Sequence, residues 1–447
     1  MGFAGSFLSG IEPRMSAATL AGRLAEAEAA TRRQPGHPLH WLQLGLTLNA
    51  AGQANQALEA FARAAALDPG FAEAQYNCGV ILYHQGQLRE AVDRYQAALA
   101  SQPNFVLARS NLGVALEAMG DTEAALGAYN EAIASDPNNP SPYWNKALLL
   151  LRNGDYEEGW RFYEWRWSAG KIGPRRTFPG KRPWLGGTPL HGKTILLHAE
   201  QGLGDMIQFA RFIPLVKALG ARVVLESFTP LTALFESVAG ADLVVSVGDD
   251  LPKFDLYCPL MSLPRALGIT RETIPWPGAY LSAPPARVAV WKERLGLAQR
   301  ARVGFVWKGN PRHEGDSARS IPLELLKSLF GTNADFVSLQ KNATDTERAL
   351  LDDNGVTHIG HMLTDFTDSA AVLETCDQII SVDTSLAHLA GAMAKPVWVL
   401  LPERADWRWL KDDEASPWYP TARLFRGGRQ GLWQDVMARA ARAMDSC

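Results

Sequence analysis

The chain has 447 residues, 47% hydrophobic and 20% charged, with Lys+Arg 44 against Asp+Glu 47 and a formal net charge of −3. This suits a globular protein of about three domains with sizeable cores. There is no basic excess to attract nucleic acid, no polybasic cluster for an anionic membrane, and no apolar run near the ~18 residues a membrane span needs. Cys78, Cys258, Cys376 and Cys447 are scattered without CxxC or Cys/His spacing. They form neither a zinc site nor a disulfide framework, which points to a reducing, cytoplasmic location. No secretory signal is expected. Met1-Gly2 with Ser6 matches the N-myristoylation pattern, too short a pattern to carry weight.

Residues 1–37 are expected to be a helical segment, with a helix over Ala17–Arg33. Beyond it the chain repeats every 34 residues. Gly45, Gly79 and Gly113 stand 34 apart and Ala147 follows in step; Gly52, Gly86, Gly120 and Gly154 keep the same interval, as do Pro35, Pro69, Pro103 and Pro137. Ala57, Ala91 and Ala125 recur with Phe61, Tyr95 and Tyr129 four residues later. Small residues where two helices cross closely, and Pro where the second helix stops, predict stacked helix pairs. Residues 38–170 therefore resemble tetratricopeptide repeats, with Ala17–Arg33 similar to the second helix of a degenerate earlier unit. In the fourth unit Gly159 replaces the alanine, and Trp160, Phe162, Tyr163, Trp165 and Trp167 crowd its second helix. Such an aromatic stripe is expected to be a packing surface that docks the array onto the next domain. Repeat arrays present a long concave groove, so the functional expectation is a polypeptide partner, with a structural spacer as the alternative.

Residues 171–187 are rich in Gly and Pro and read as a connector. Short β-branched runs then alternate with helical ones: Thr194–His198, Arg222–Leu225, Asp242–Val247 and Phe254–Tyr257 in a first block, residues 188–285. After a linker helix near Val288–Leu295 come Val303–Trp307, Phe336–Leu339, Val356–Ile359, Gln378–Val382 and Val397–Leu401, in a second block, residues 286–447. This alternation predicts two doubly wound parallel sheets, so the whole chain is an α-solenoid followed by two Rossmann-like α/β domains. Ligands in such folds bind at the carboxyl ends of the strands.

Four stretches fall at those ends. His198-Ala199-Glu200-Gln201-Gly202-Leu203-Gly204-Asp205 follows the first strand, with Glu200, Gln201, Gly202 and Gly204 as candidate acceptor-loop residues. Asp205 either caps the next helix or acts as a general base on an acceptor hydroxyl. Trp307-Lys308-Gly309-Asn310, with Arg312, His313 and Arg319 beyond, places cations where a phosphate leaving group would suit them. Leu339-Gln340-Lys341 adds an amide and a cation at the same rim. Finally, Gln378–Val382 breaks at Asp383-Thr384-Ser385 into a helix carrying His388 one turn on. Either Asp383 or Thr384 merely caps that helix, or its positive N-terminal end holds a nucleotide diphosphate. Trp407-Arg408-Trp409 either frames the ligand or locks the two halves, packing being the favoured role.

With these motifs in order, residues 190–447 resemble GT-B glycosyltransferases, similar to family 9, which includes the heptosyltransferases. Repeats followed by such halves also resemble bacterial TPR glycosyltransferases and, more remotely, protein O-GlcNAc transferases. The resemblance implies a GT-B fold with a nucleotide-sugar donor as co-substrate in the second half and an acceptor approached from the first. It carries the base role to Asp205 and donor binding to Asp383, Thr384 and His388, with the family's basic residue at Arg319. Ser385 stands where heptosyltransferases have Gly, Arg319 stands for their Lys, and the first half is shorter, so heptose is not carried over. The expectation is an inverting transferase without metal or cofactor (no Asp-x-Asp motif occurs), acting on a polypeptide recruited by the repeats. Lys308, Asn310, Arg319, Gln340, Asp383, Thr384, Ser385 and His388 would bind the donor. The alternatives are a transferase for surface or lipid glycans and a non-catalytic interaction scaffold.

Overall fold

The computed structural model describes residues 17–170, 172–312, 315–411, 414–427 and 433–445. The Met1-Gly2-Ser6 pattern, His313 and Cys447 lie outside them. The described residues fall into two compact units. One is helical and runs to Leu149 with Trp165–Gly170; the other takes Leu150–Glu164 and the chain from Ile172 onward.

In the helical unit the helix Ala17–Arg33 precedes the pairs Pro38–Ala50 with Ala54–Leu67, Ala72–His84 with Leu88–Ser101, and Val106–Met119 with Thr122–Ser135. The helix Pro140–Arg152 begins here and crosses the boundary. The 34-residue period has two physical causes. Gly52, Gly86 and Gly120 turn the chain between paired helices at φ of 76°, 78° and 89°, a left-handed conformation that side chains resist. Gly79 and Gly113 leave space for an aromatic ring of the partner helix: a Cβ there would stand 2.6 Å from Tyr95 and 2.5 Å from Tyr129. Asn111 donates to the Tyr76 hydroxyl and Asn145 to the Ser110 hydroxyl, both at 3.2 Å, tying first helices of successive repeats together.

The second unit holds eleven strands among its described residues, all paired in parallel. They are β1 (Arg182–Pro183), β2 (Thr194–His198), β3 (Arg222–Ser227), β4 (Leu243–Ser246), β5 (Leu256–Pro259), β6 (Ala301–Val306), β7 (Ala334–Ser338), β8 (Thr357–His358), β9 (Gln378–Val382), β10 (Val397–Leu401) and β11 (Ala422–Arg426). The first sheet has the order β1-β5-β2-β3-β4 and the second β11-β10-β9-β6-β7-β8. Every anticipated strand is present. β1 and β11 were not anticipated: one is two residues long and contains Pro, and the other, Ala-Arg-Leu-Phe-Arg, is an edge strand whose arginines break the apolar run. The interior strand β10, Val-Trp-Val-Leu-Leu, is buried throughout, as a strand covered on both faces must be. In the second sheet the chain leaves β6 for β7 and β8, then returns on the other side with β9, so the strand order reverses between β6 and β9.

The aromatic stripe divides. Trp160 meets Trp407 at 5.3 Å between ring centroids, with Phe209 and Trp418 also around it, all within the α/β unit. Trp165 instead stacks on Tyr143 at 4.0 Å within the helical unit. Among the described residues no helix is long and apolar enough to cross a membrane.

Candidate functional site

The switch point between β6 and β9 gathers most of the candidate donor residues. The loop after β6 is folded back by Ile321, whose N–H donates to the Trp307 carbonyl at 2.8 Å. Gly309 lets the loop run close to the Asp316–Arg319 pair, since a Cβ there would crowd Asp316 and meet Arg319 at 2.6 Å. Arg319 pairs with Asp316 at 3.1 Å and donates to the Asp383 carbonyl at 2.9 Å, so the loop after β6 grips the turn after β9. The buried Gln340, at the end of β7, accepts from the backbone N–H groups of Trp307 and Lys308 at 3.3 and 3.2 Å. Lys308 is turned to Glu347, 2.6 Å away. Burial would raise the Glu347 pKa, but hydrogen bonds from Lys308, Thr344 and Trp307 hold it below the ordinary value. Asn310 is exposed, its side chain accepting from the Arg312 N–H at 3.0 Å.

At the turn itself Thr384 caps the helix Ser385–Ala392, accepting from the Leu386 N–H at 3.3 Å and meeting Ser381 at 3.0 Å. Ser385, half-buried, opens the helix. Asp383 is pushed up to about 6, first by burial and then by the neighbouring Asp406, against the pull of Arg319 and Arg408. His388 is buried, with Nε2 4.0 Å from the Asp383 carboxylate and Nδ1 3.0 Å from the Tyr419 hydroxyl. Burial, reinforced by Arg408, Arg211 and Arg319, holds the imidazole well below its usual pKa, so it is neutral.

The loop after β2 meets this turn directly. A Cβ on Gly204 would stand 2.8 Å from the His388 ring and 3.4 Å from the Ser385 Cα, so the helix Leu203–Phe209 crosses the helix Ser385–Ala392 at close range. One Asp205 oxygen accepts from the Gly202 N–H at 2.8 Å, capping the helix start; the other accepts from Arg408. Arg408 has all three nitrogens engaged: on Asp205, on Gln208 at 2.9 Å and on Asp406 at 2.6 Å. Burial opposes its charge, and the carboxylates of Asp205 and Asp406 more than offset this, so its pKa is raised. Glu200 accepts from the Met261 N–H at 2.9 Å and Gln201 donates to the Tyr163 hydroxyl at 3.1 Å, bracing the loop.

Asp205, Asp383, Arg319 and His388 thus come together, while Lys308 and Asn310 turn to partners of their own. Asp406, Gln208 and Tyr419 were not anticipated as site residues, and Arg408 was singled out only as part of Trp407-Arg408-Trp409. The available signal was a cation enclosed by two tryptophans and preceded by an aspartate, just beyond β10, at the same sheet edge as the other motifs. Trp407 and Trp409 are buried, so both pack, and it is Arg408 between them that reaches Asp205 at the end of the other sheet. Among the described residues no group of three or more His, Cys, Asp or Glu is arranged to hold a metal ion.

Comparison with known proteins identifies the first part of the chain. A tetratricopeptide repeat family matches residues 42–104, 79–140 and 111–159, so this region is a tetratricopeptide array. Protein FlbA of Caulobacter vibrioides is 31% identical over 325 residues, 67% of this chain, a span that must extend past the repeats into the α/β region. This chain spans 54% of that protein's length. Among solved structures, MamA is 22% identical over 38% of this chain and 96% of its own, with a TM-score of 0.32. PilF of Pseudomonas aeruginosa is 20% identical over 36% of this chain and 71% of its own, also with a TM-score of 0.32.

Proposed function

We propose that the α/β unit is a GT-B glycosyltransferase of the family 9 type, moving a sugar from a nucleotide-sugar donor to a hydroxyl acceptor. The observation that carries this reading is the meeting of two segments, Gly202–Asp205 and Asp383–His388, at the carboxyl ends of two parallel sheets, where doubly wound folds hold ligands. The β6–β9 switch point offers a helix N-terminus and Arg319, which suit the diphosphate of a donor. Asp205 keeps a second lone pair on each oxygen and can accept a proton from the acceptor hydroxyl. The acceptor oxygen then bonds to the anomeric carbon from the opposite face, the bond to the diphosphate oxygen breaks, and its electron pair stays with the leaving group. Arg319 and the helix Ser385–Ala392 stabilise that charge, giving an inverted product. The tetratricopeptide array suggests a protein partner, and a polypeptide acceptor fits it best.

The test is release of nucleotide from a panel of nucleotide sugars by the full chain and by Asp205→Asn, with thermal shift reporting binding. Turnover of one donor, lost in the variant while binding persists, is the expected result. A chain stabilised by no donor and no nucleoside diphosphate overturns the reading. The alternative of a non-catalytic scaffold is favoured by one observation: Lys308 and Asp205 are both already ion-paired within the protein.

A further inference from the structure

The ring of His388 is held on three sides by residues outside the motif that contains it. Trp409 stacks on one face at 5.2 Å with an interplanar angle of 19°. Gly204 lies against the Cδ2 and Nε2 edge. The fully buried Tyr419 reaches Nδ1 at 3.0 Å, and it can do so because Gly391, three residues after His388 on the same helix face, has no side chain to hold the tyrosine ring away.

Tyr419 is in turn seated by a buried cation. Arg211 lies over its ring at 4.7 Å, donates to the Trp418 carbonyl at 2.6 Å and to the Tyr280 hydroxyl at 3.1 Å. The Tyr280 hydroxyl donates to the Ile207 carbonyl at 3.1 Å. The same guanidinium disfavours a positive charge on His388. A phenol that donates at Nδ1 leaves the one proton of the neutral imidazole on Nε2, the nitrogen facing Asp383.

We propose that Tyr419 is a positioning residue: its hydroxyl donates to His388 Nδ1 and so fixes the tautomer whose Nε2–H faces the Asp383 turn. The 4.0 Å between Nε2 and the Asp383 carboxylate is too long for a hydrogen bond and leaves the N–H able to meet an oxygen brought to the turn. The functional consequence rests on the glycosyl-transfer reading: the oriented N–H meets an oxygen of the departing nucleoside diphosphate brought to the turn.

The experiment is nitrogen NMR of the full chain labelled at histidine, for wild type and Tyr419→Phe, with and without UDP, GDP, ADP and CDP. In wild type, His388 is expected to carry its proton on Nε2. In Tyr419→Phe the Nδ1–H form should appear, and binding of the responding diphosphate should weaken about five- to tenfold, the worth of one buried hydrogen bond. A wild-type proton on Nδ1 overturns the proposal even if the variant does not fold. An unchanged tautomer in the variant overturns the part given to Tyr419. The expected tautomers with no response to any diphosphate overturn the glycosyl-transfer reading and leave the hydrogen-bond assignment standing, so the two failures are told apart.

Discussion

Arg408, in the turn after β10, donates to the carboxylate of Asp205, 203 residues earlier in the chain and at the end of the other sheet. The same guanidinium holds Gln208 and Asp406. One largely buried cation therefore spans the two sheets' carboxyl edges, with its charge balanced by one aspartate from each side. Arg408→Ala would leave both carboxylates without their cation. It is expected to cost roughly 3 kcal/mol of stability in denaturant unfolding, the usual scale for breaking a largely buried pair. Arg408→Lys restores the charge but not the three-way fork, so it should recover only part of that loss. Equal stability of Arg408→Ala and the parent chain would show that the contact is dispensable.

Gly204 matters through the helix it lets approach rather than through its backbone angles. A methyl group there would press on the buried His388 ring at 2.8 Å and touch the Ser385 backbone at 3.4 Å. Gly204→Ala is expected to lower stability by about 1–3 kcal/mol and to weaken nucleotide binding at the adjoining turn. Thermal unfolding and a nucleotide titration on the same variant check both.

The Asp383 carboxyl, raised from 3.8 to about 6, keeps its proton in the folded protein over a range where the unfolded chain has lost it. Its ionised form above that range therefore costs stability. Asp383→Asn removes this cost and leaves the Arg319 bond to the backbone carbonyl in place. The variant should be more stable than the parent by roughly 1–3 kcal/mol at neutral pH. The gap should close as pH falls through about 6 toward 3.8. Melting both proteins across this range tests it; a gap that does not vary with pH would contradict the assignment.

In the repeats, Gly79→Ala and Gly127→Ala separate packing from propensity. At Gly79 the added methyl meets the Tyr95 ring at 2.6 Å, and about 1–3 kcal/mol should be lost. At Gly127, within the helix Thr122–Ser135, nothing lies within 4 Å. There the better helix former should add about 0.5–1 kcal/mol. Chemical denaturation of the two variants gives opposite signs if the period reflects ring-against-glycine packing.

The tetratricopeptide array was legible because its constraints are local: a left-handed turn glycine, a glycine under a ring and a terminating proline recur at one interval in sequence. The central strands were legible for a related reason, since burial on both faces leaves an unbroken apolar run such as Val397–Leu401. The edge strands β1 and β11 lack that pressure and went unseen. Asp205, Asp383 and Arg319 could be picked out as strand-end residues of suitable chemistry, but the sequence carries no measure of what each side chain faces. That Lys308 turns to Glu347, that His388 is enclosed by Trp409, Gly204 and Tyr419, and that Asp205 meets Arg408 are matters of packing between segments far apart in the chain. Local propensity and periodicity determine which helices and strands form. The pairing of charges across two sheets depends on how those elements stack, and only the tertiary structure decided it.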